Sequence, residues 1–152
     1  MPYRTILVVE DDLNDEHLTL RALRQSGIPC TVVVAHCGKD ALHFLNRTGP
    51  FEGREGPEPL AIFVDHTLPG FGGVELIQAI RSNPALATVP VVVFSGSLDS
   101  NVVEQCCRAG ANSFLEKPIE MESYVRQVNA AAKYWLTLNL APSTLQDKVS
   151  AL

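Results

Sequence analysis

The chain has 152 residues, 46% of them apolar and 19% charged, with a formal net charge of −5. That is enough for one domain with one core, and it excludes a disordered composition. The acid excess without any Lys or Arg cluster excludes nucleic-acid binding, and no apolar run approaches the ~20 residues of a membrane span.

Short apolar runs alternate with amphipathic segments from end to end, the pattern of a parallel sheet covered by helices. Thr5 to Val9 reads as a strand buried on both faces and ends in Glu10-Asp11-Asp12. Asn14, with Asp15 and Glu16 behind it, predicts a helix start whose acids favour the positive end of the helix dipole. That helix runs to Ser26, with Gly27 as its stop. Thr31 to Ala35 is the second strand and Gly38 to Asn46 the second helix. Arg47 to Pro59, with three Gly and three Pro, predicts a long loop.

Leu60 to Val64 is the third strand and runs straight into Asp65. Gly70-Phe71-Gly72-Gly73 reads as a flexible loop, since it lacks the spacing of a dinucleotide-binding turn. In the helix that follows, Val74, Ile77 and Ile80 share a stripe. Val91 to Phe94 is the fourth strand, ending in Ser95-Gly96-Ser97. A helix from about Ser100 to Ala109 is expected to turn Val103, Cys106 and Cys107 inward. Ser113 to Leu115 is the last strand, followed by Glu116-Lys117-Pro118. The final helix starts near Glu120, with Val125, Val128, Ala132 and Trp135 on one side, and fades before Pro142. The result is an α/β fold, a doubly wound five-stranded parallel sheet with helices on both faces. Residues 1–140 form the domain, and 141–152 are a tail that frays or joins a dimer contact.

In such sheets ligands bind at the carboxyl ends of the strands. Strand one delivers Glu10, Asp11 and Asp12 there, strand three Asp65, strand four Ser95 and strand five Lys117. Converging carboxylates repel one another unless a cation sits among them, and hard oxygen ligands suit Mg²⁺ or Mn²⁺. A hydroxyl and an ammonium at the same edge can bind an incoming phosphoryl group. The set suits phosphoryl transfer to a carboxylate nucleophile.

The stretches Ile6 to Asp12, Val64 to Gly70, Val93 to Gly96 and Phe114 to Pro118 resemble the response-regulator receiver family of two-component signalling. The order and spacing match across about residues 4–136. The resemblance implies a flavodoxin-like strand order of 2-1-3-4-5. It implies Asp65 as phosphoacceptor and Glu10 and Asp11 as the acidic metal pair, with Asp11 the direct ligand. It further implies the Thr67 carbonyl as third metal ligand, Lys117 as the phosphate-pairing lysine, and Ser95 and Phe114 as switch residues. Mg²⁺ is the implied cofactor, with Mn²⁺ able to substitute. A Lys117–Pro118 peptide bond in the cis form is also implied. Ser97 stands where fast-cycling relatives carry an acid that orients water, so a long-lived phospho-Asp65 is expected.

Lys133 to Leu136, Leu140 to Ser143 and the long loop before Asp65 resemble the small regulators paired with phytochrome photoreceptor kinases. That implies a sensor histidine kinase partner of the phytochrome type and no output domain, with a histidine phosphotransfer protein as one route for the signal. It also implies a homodimer through the face of helices four and five. Independently, Tyr134, Trp135, Leu136, Leu138 and Leu140 follow too closely for one helical stripe, so an apolar surface is expected to need a partner.

An Asp-nucleophile phosphatase needs a second Asp two residues after the nucleophile, where Thr67 stands. A pseudo-receiver, an interaction module that works without phosphorylation, typically loses an acid, the acceptor or the lysine, and all are present here. No secretory signal precedes the first strand, and Cys30, Cys37, Cys106 and Cys107 lack metal-type spacing. They read as buried reduced thiols in a cytoplasmic protein. His17, His36, His43 and His66 are scattered and read as surface or packing residues.

Overall fold

A computed structural model describes residues 4–97 and 99–142. The strands are β1 (Thr5–Val9), β2 (Thr31–Ala35), β3 (Ala61–Asp65), β4 (Val91–Ser95) and β5 (Ser113–Glu116). All pair in parallel, in the order β2-β1-β3-β4-β5. The helices are α1 (Leu13–Gln25), α2 (Gly38–Asn46), α3 (Gly73–Ser82), α4 (Ser100–Ala109) and α5 (Met121–Lys133), the last continuing as a π-type turn over Tyr134–Leu138.

Because β1, β3 and β4 lie inside the sheet, nearly every residue on them is buried, and alternate side chains feed two cores. Leu7, Val9, Ile62, Val64, Val91 and Val93 pack with α2, α3 and α4. Ile6, Val8, Ala61, Phe63, Val92 and Phe94 pack with α1 and α5. The sheet is thus covered on both faces.

Several local details depart from the sequence reading. The N-cap of α1 is Asp12, whose carboxylate accepts the Asp15 N–H at 2.9 Å. The inward stripe of α4 is Val102, Cys106 and Ala109. That is the i, i+4, i+7 row, and Cys107 falls outside it and is exposed. Of the four free thiols only Cys106 is fully buried. The loop 47–59 is tied together: Arg47, in the left-handed region at φ 59°, donates to Arg54 O, to Gly56 O at 2.8 Å and to Glu58 at 3.0 Å. The segment before α3 is anchored too, since Phe71 packs so closely over Gly38 that a Cβ there would lie 2.6 Å from the ring. Leu136 packs in the α1/α5 core, as does Ala141, one residue past the expected domain boundary. The tail from 143 onward lies outside the described residues.

Arg81 staples α3 to the start of β5. Its guanidinium donates to the carbonyls of Leu86 (3.0 Å), Val89 (2.8 Å) and Gly110 (3.0 and 3.1 Å) and to Asn112 Oδ1 at 2.9 Å. Gly110 caps α4 at φ 116°, and a Cβ there would meet Arg81 Cγ at 2.8 Å. Arg81→Ala orphans several partly buried carbonyls and is expected to lower the unfolding free energy by about 3 kcal/mol. Urea denaturation read by far-UV circular dichroism checks this.

Candidate metal and phosphoryl site

At the carboxyl edge the alternation continues past the strand ends and sorts the functional side chains by face. Glu10 and Asp65 follow Val8 and Phe63, so they lean toward α1 and α5. A small cavity lined by Val8, Glu10, Thr19, Phe63, Asp65, Phe94 and Tyr124 lies behind them. Ser95 follows Val91 and Val93 toward α4, the side on which Phe114 also packs. Glu10 and Asp65 therefore lie on one face of the sheet and the expected switch pair on the other.

Glu10, Asp11 and Asp65 each offer a carboxylate oxygen, and these oxygens lie within 4.8 Å of one another. Glu10 is only 3% exposed, held by its N–H on Ala35 O at 2.9 Å, and its Oε2 is buried without a hydrogen-bond partner. Burial, reinforced by the neighbouring Asp65 carboxylate and opposed by Lys117, pushes the Glu10 carboxyl up to about 8. An orphaned oxygen among crowded carboxylates is what a divalent cation relieves, and the all-oxygen donor set fits Mg²⁺ or Mn²⁺. Asp11 is exposed and reaches the cluster from the rim. Thr67 is exposed and donates its N–H to Asp65 Oδ1 at 3.3 Å.

Lys117 enters from the end of β5, its N–H on Ser95 O at 2.7 Å. Its ammonium lies 2.9 Å from Glu10 Oε1, 2.9 Å from Asp15 Oδ2 and 3.3 Å from Asp65 Oδ1. Desolvation lowers its pKa, but the hydrogen bonds to Asp15 and Glu10 and the charge of Asp65 outweigh this, so the net shift is upward and the charge is retained. Among the described residues no peptide bond is cis; Lys117–Pro118 is trans, contrary to the implied form. Ser95 is 2% exposed and its Oγ accepts the Ser97 N–H at 3.1 Å. Phe114 is half-buried.

The sequence reading missed three residues. Asp15 was assigned to the helix dipole and instead reaches Lys117. Thr19 and Tyr124 share a buried hydroxyl–hydroxyl bond of 3.0 Å across α1 and α5, and the Tyr124 ring lies 5.9 Å from the Lys117 ammonium. Burial pushes the Tyr124 phenol up to about 12. Polar residues at inward positions of both helices were the available signal. Of the expected contact residues, Tyr134 is 48% exposed and Trp135 partly covered, whereas Leu136 points into the core and is withdrawn from that set. Leu138 and Leu140 are exposed beside them. His36 pairs with Glu16 at 3.0 Å, outside the acidic cluster.

Comparison with known proteins agrees with this geometry. The model of the response regulator receiver domain matches residues 6–129. Response regulator Rcp1 of Synechocystis sp. is 30% identical over 142 residues, covering 93% of this chain and 95% of that protein. The crystal structure of Mn²⁺-bound Rcp1 superposes with a TM-score of 0.84 at 29% identity, over 91% of this chain and 99% of that one. The phosphorylated cyanobacterial phytochrome response regulator RcpA gives 0.86 at 28% identity, over 92% and 99%. Bacteriophytochrome response regulator RtBRR is 33% identical with a TM-score of 0.75, over 98% of this chain and 90% of that one. No helix among the described residues is long and apolar enough to cross a membrane. With its divalent-metal site at the carboxyl edge of a 2-1-3-4-5 sheet, the chain belongs to the response regulator receiver domain family of two-component signalling.

Proposed function

We propose that the protein accepts a phosphoryl group on Asp65 from a sensor histidine kinase, in a reaction that requires Mg²⁺, and signals by rearranging the face of α4, β5 and α5. The observation that carries this reading is the meeting of one ammonium with the carboxylates of Glu10 and Asp65 beside Asp11. An Asp65 oxygen attacks the phosphorus of a phosphohistidine, the new O–P bond forms as the N–P bond breaks, and the imidazole leaves with a solvent proton. When bound among Glu10, Asp11, Asp65 and the Thr67 carbonyl, Mg²⁺ would neutralise charge on the phosphoryl oxygens. Lys117 supplies a positive N–H to the same group. The Ser95 hydroxyl keeps its own proton to donate, and Phe114, on the same face, follows it inward.

The resemblance to RcpA and RtBRR supports a phytochrome-type kinase as donor. Exposed Tyr134, Leu138 and Leu140, with Trp135 beside them, support a homodimer. A module that works without phosphorylation is not favoured, because acids, acceptor and lysine stand together. Incubation with acetyl phosphate and Mg²⁺ is expected to label the wild-type protein and to leave Asp65→Asn unlabelled. Undiminished labelling of Asp65→Asn would overturn the assignment. The Ser97 hydroxyl accepts the Asp99 N–H at 3.2 Å and offers no carboxylate to orient water. The label is therefore expected to decay slowly, as read by timed acid quench.

A further inference from the structure

We propose that Asp15 is a positioning residue of the phosphoryl site: with Glu10 it takes two of the three N–H groups of Lys117, which holds the ammonium beside Asp65 with the third free for the phosphoryl group. The inference rests on Asp65 being the phosphoacceptor.

A lysine ammonium is a point charge on a flexible four-carbon stem, and a single anchor leaves it free to swing. Here it has two anchors at 2.9 Å, Glu10 Oε1 from β1 and Asp15 Oδ2 from α1. With two donors committed, one remains for an incoming group, and Asp65 Oδ1 lies 3.3 Å from the nitrogen as an ion pair. A carboxylate that served only the helix dipole would need no partner, yet the Asp15 side chain is two-thirds covered, with 34% exposed. Its next-turn neighbour on α1, Thr19, holds the Tyr124 hydroxyl at 3.0 Å, and the Tyr124 ring closes the side of the ammonium away from solvent. Asp15 and Thr19 thus form one row on α1 that grips Lys117 and its wall.

The consequence is directional. A phosphoryl group arriving on Asp65 takes over the third N–H, and neither anchor has to break. Lys117 is already held beside Asp65, so Asp15 favours the phosphorylated state instead of competing with it for the ammonium.

Fluoroberyllate, a phosphoryl mimic, is titrated in Mg²⁺ against wild type, Asp15→Ala, Asp15→Asn and Asp15→Glu. Asp15→Ala is expected to bind about tenfold more weakly, the size of one hydrogen bond to a charged group. Asp15→Asn, whose amide oxygen still accepts, is expected within about threefold of wild type. Asp15→Glu keeps the charge at the helix N-terminus but overshoots Lys117, so it should behave like the alanine variant. The slowly exchanging ammonium protons of Lys117, followed by ¹⁵N NMR without metal, should persist in Asp15→Asn and vanish in Asp15→Ala. Unchanged or tighter binding by Asp15→Ala would overturn the inference, as would Asp15→Glu matching wild type. If wild type itself ignores fluoroberyllate, the Asp65 reading fails, and the ammonium spectra still decide whether Asp15 holds Lys117.

Discussion

Without metal, the protein is expected to lose stability as pH rises from about 4.5 to about 8, and saturating Mg²⁺ is expected to reverse that trend. The sign follows from Glu10. Its carboxyl ionises near 4.5 in an unfolded chain and near 8 in the fold, where burial leads and Asp65 adds to the shift. Between those values the folded state holds a proton that the unfolded state has released. Stability is therefore greatest below the lower value and declines through the window, by at most about 1.4 kcal/mol per pH unit. A divalent cation needs the carboxylate ionised, so its affinity rises across the same window. Urea midpoints at about pH 5, 6.5 and 8, with and without Mg²⁺, test the crossing of the two trends. Glu10→Gln should flatten the metal-free profile. Metal-free stability that rises through the window would contradict the account.

The second large effect is expected at Lys117. Its side chain is 14% exposed, and it neutralises Glu10, whose side chain is 4% exposed, as well as Asp15 and Asp65. Lys117→Met keeps most of the apolar stem and removes the ammonium, leaving the Asp65 and Asp15 carboxylates without their cation and Glu10 Oε1 without its donor. Removing one partner of a buried pair costs about 3–5 kcal/mol. The metal-free variant should lose about 3 kcal/mol at neutral pH, the low end of that range, because Glu10 already holds a proton there. The loss should shrink at acidic pH, where protons neutralise the carboxylates that lost their cation, and again in Mg²⁺. Denaturation at two pH values with and without metal separates this from a packing defect, which would be indifferent to both. An equal loss under all conditions would mean that the ammonium is not the cluster's counter-ion.

These two effects arise from residues that sequence reading could place. β1, β3 and β4 were legible because strands buried on both faces read as unbroken apolar runs, and each stops where its polar end emerges. Glu10, Asp65, Ser95 and Lys117 were legible for the same reason, as the residues those strands hand to one edge.

What escaped reading depends on packing between distant elements or on local backbone geometry. Asp15 sits where any helix favours an acid, and only the seating of α1 beside α5 and the end of β5 brings it to Lys117. Thr19 and Tyr124 occupy inward positions of α1 and α5, and each hydroxyl is tolerable there only because the other satisfies it. Leu136 was grouped with its apolar neighbours as surface because the five follow too closely for one stripe, but in the π-type turn over Tyr134–Leu138 it is the one that is buried, at 4% exposure. Cys107 was misplaced by choosing the neighbouring row of α4, since Val102, Cys106 and Ala109 make the buried stripe.

The account stands or falls on Asp65 being the acceptor beside a cation held by Glu10, Asp11 and Asp65 itself. A crystal structure grown with Mg²⁺ and fluoroberyllate tests it most directly. The predicted map has the metal among those three carboxylates and fluoroberyllate on an Asp65 oxygen within reach of Lys117. A protein that crystallises in this fold from saturating Mg²⁺ and fluoroberyllate with both bound elsewhere would contradict it.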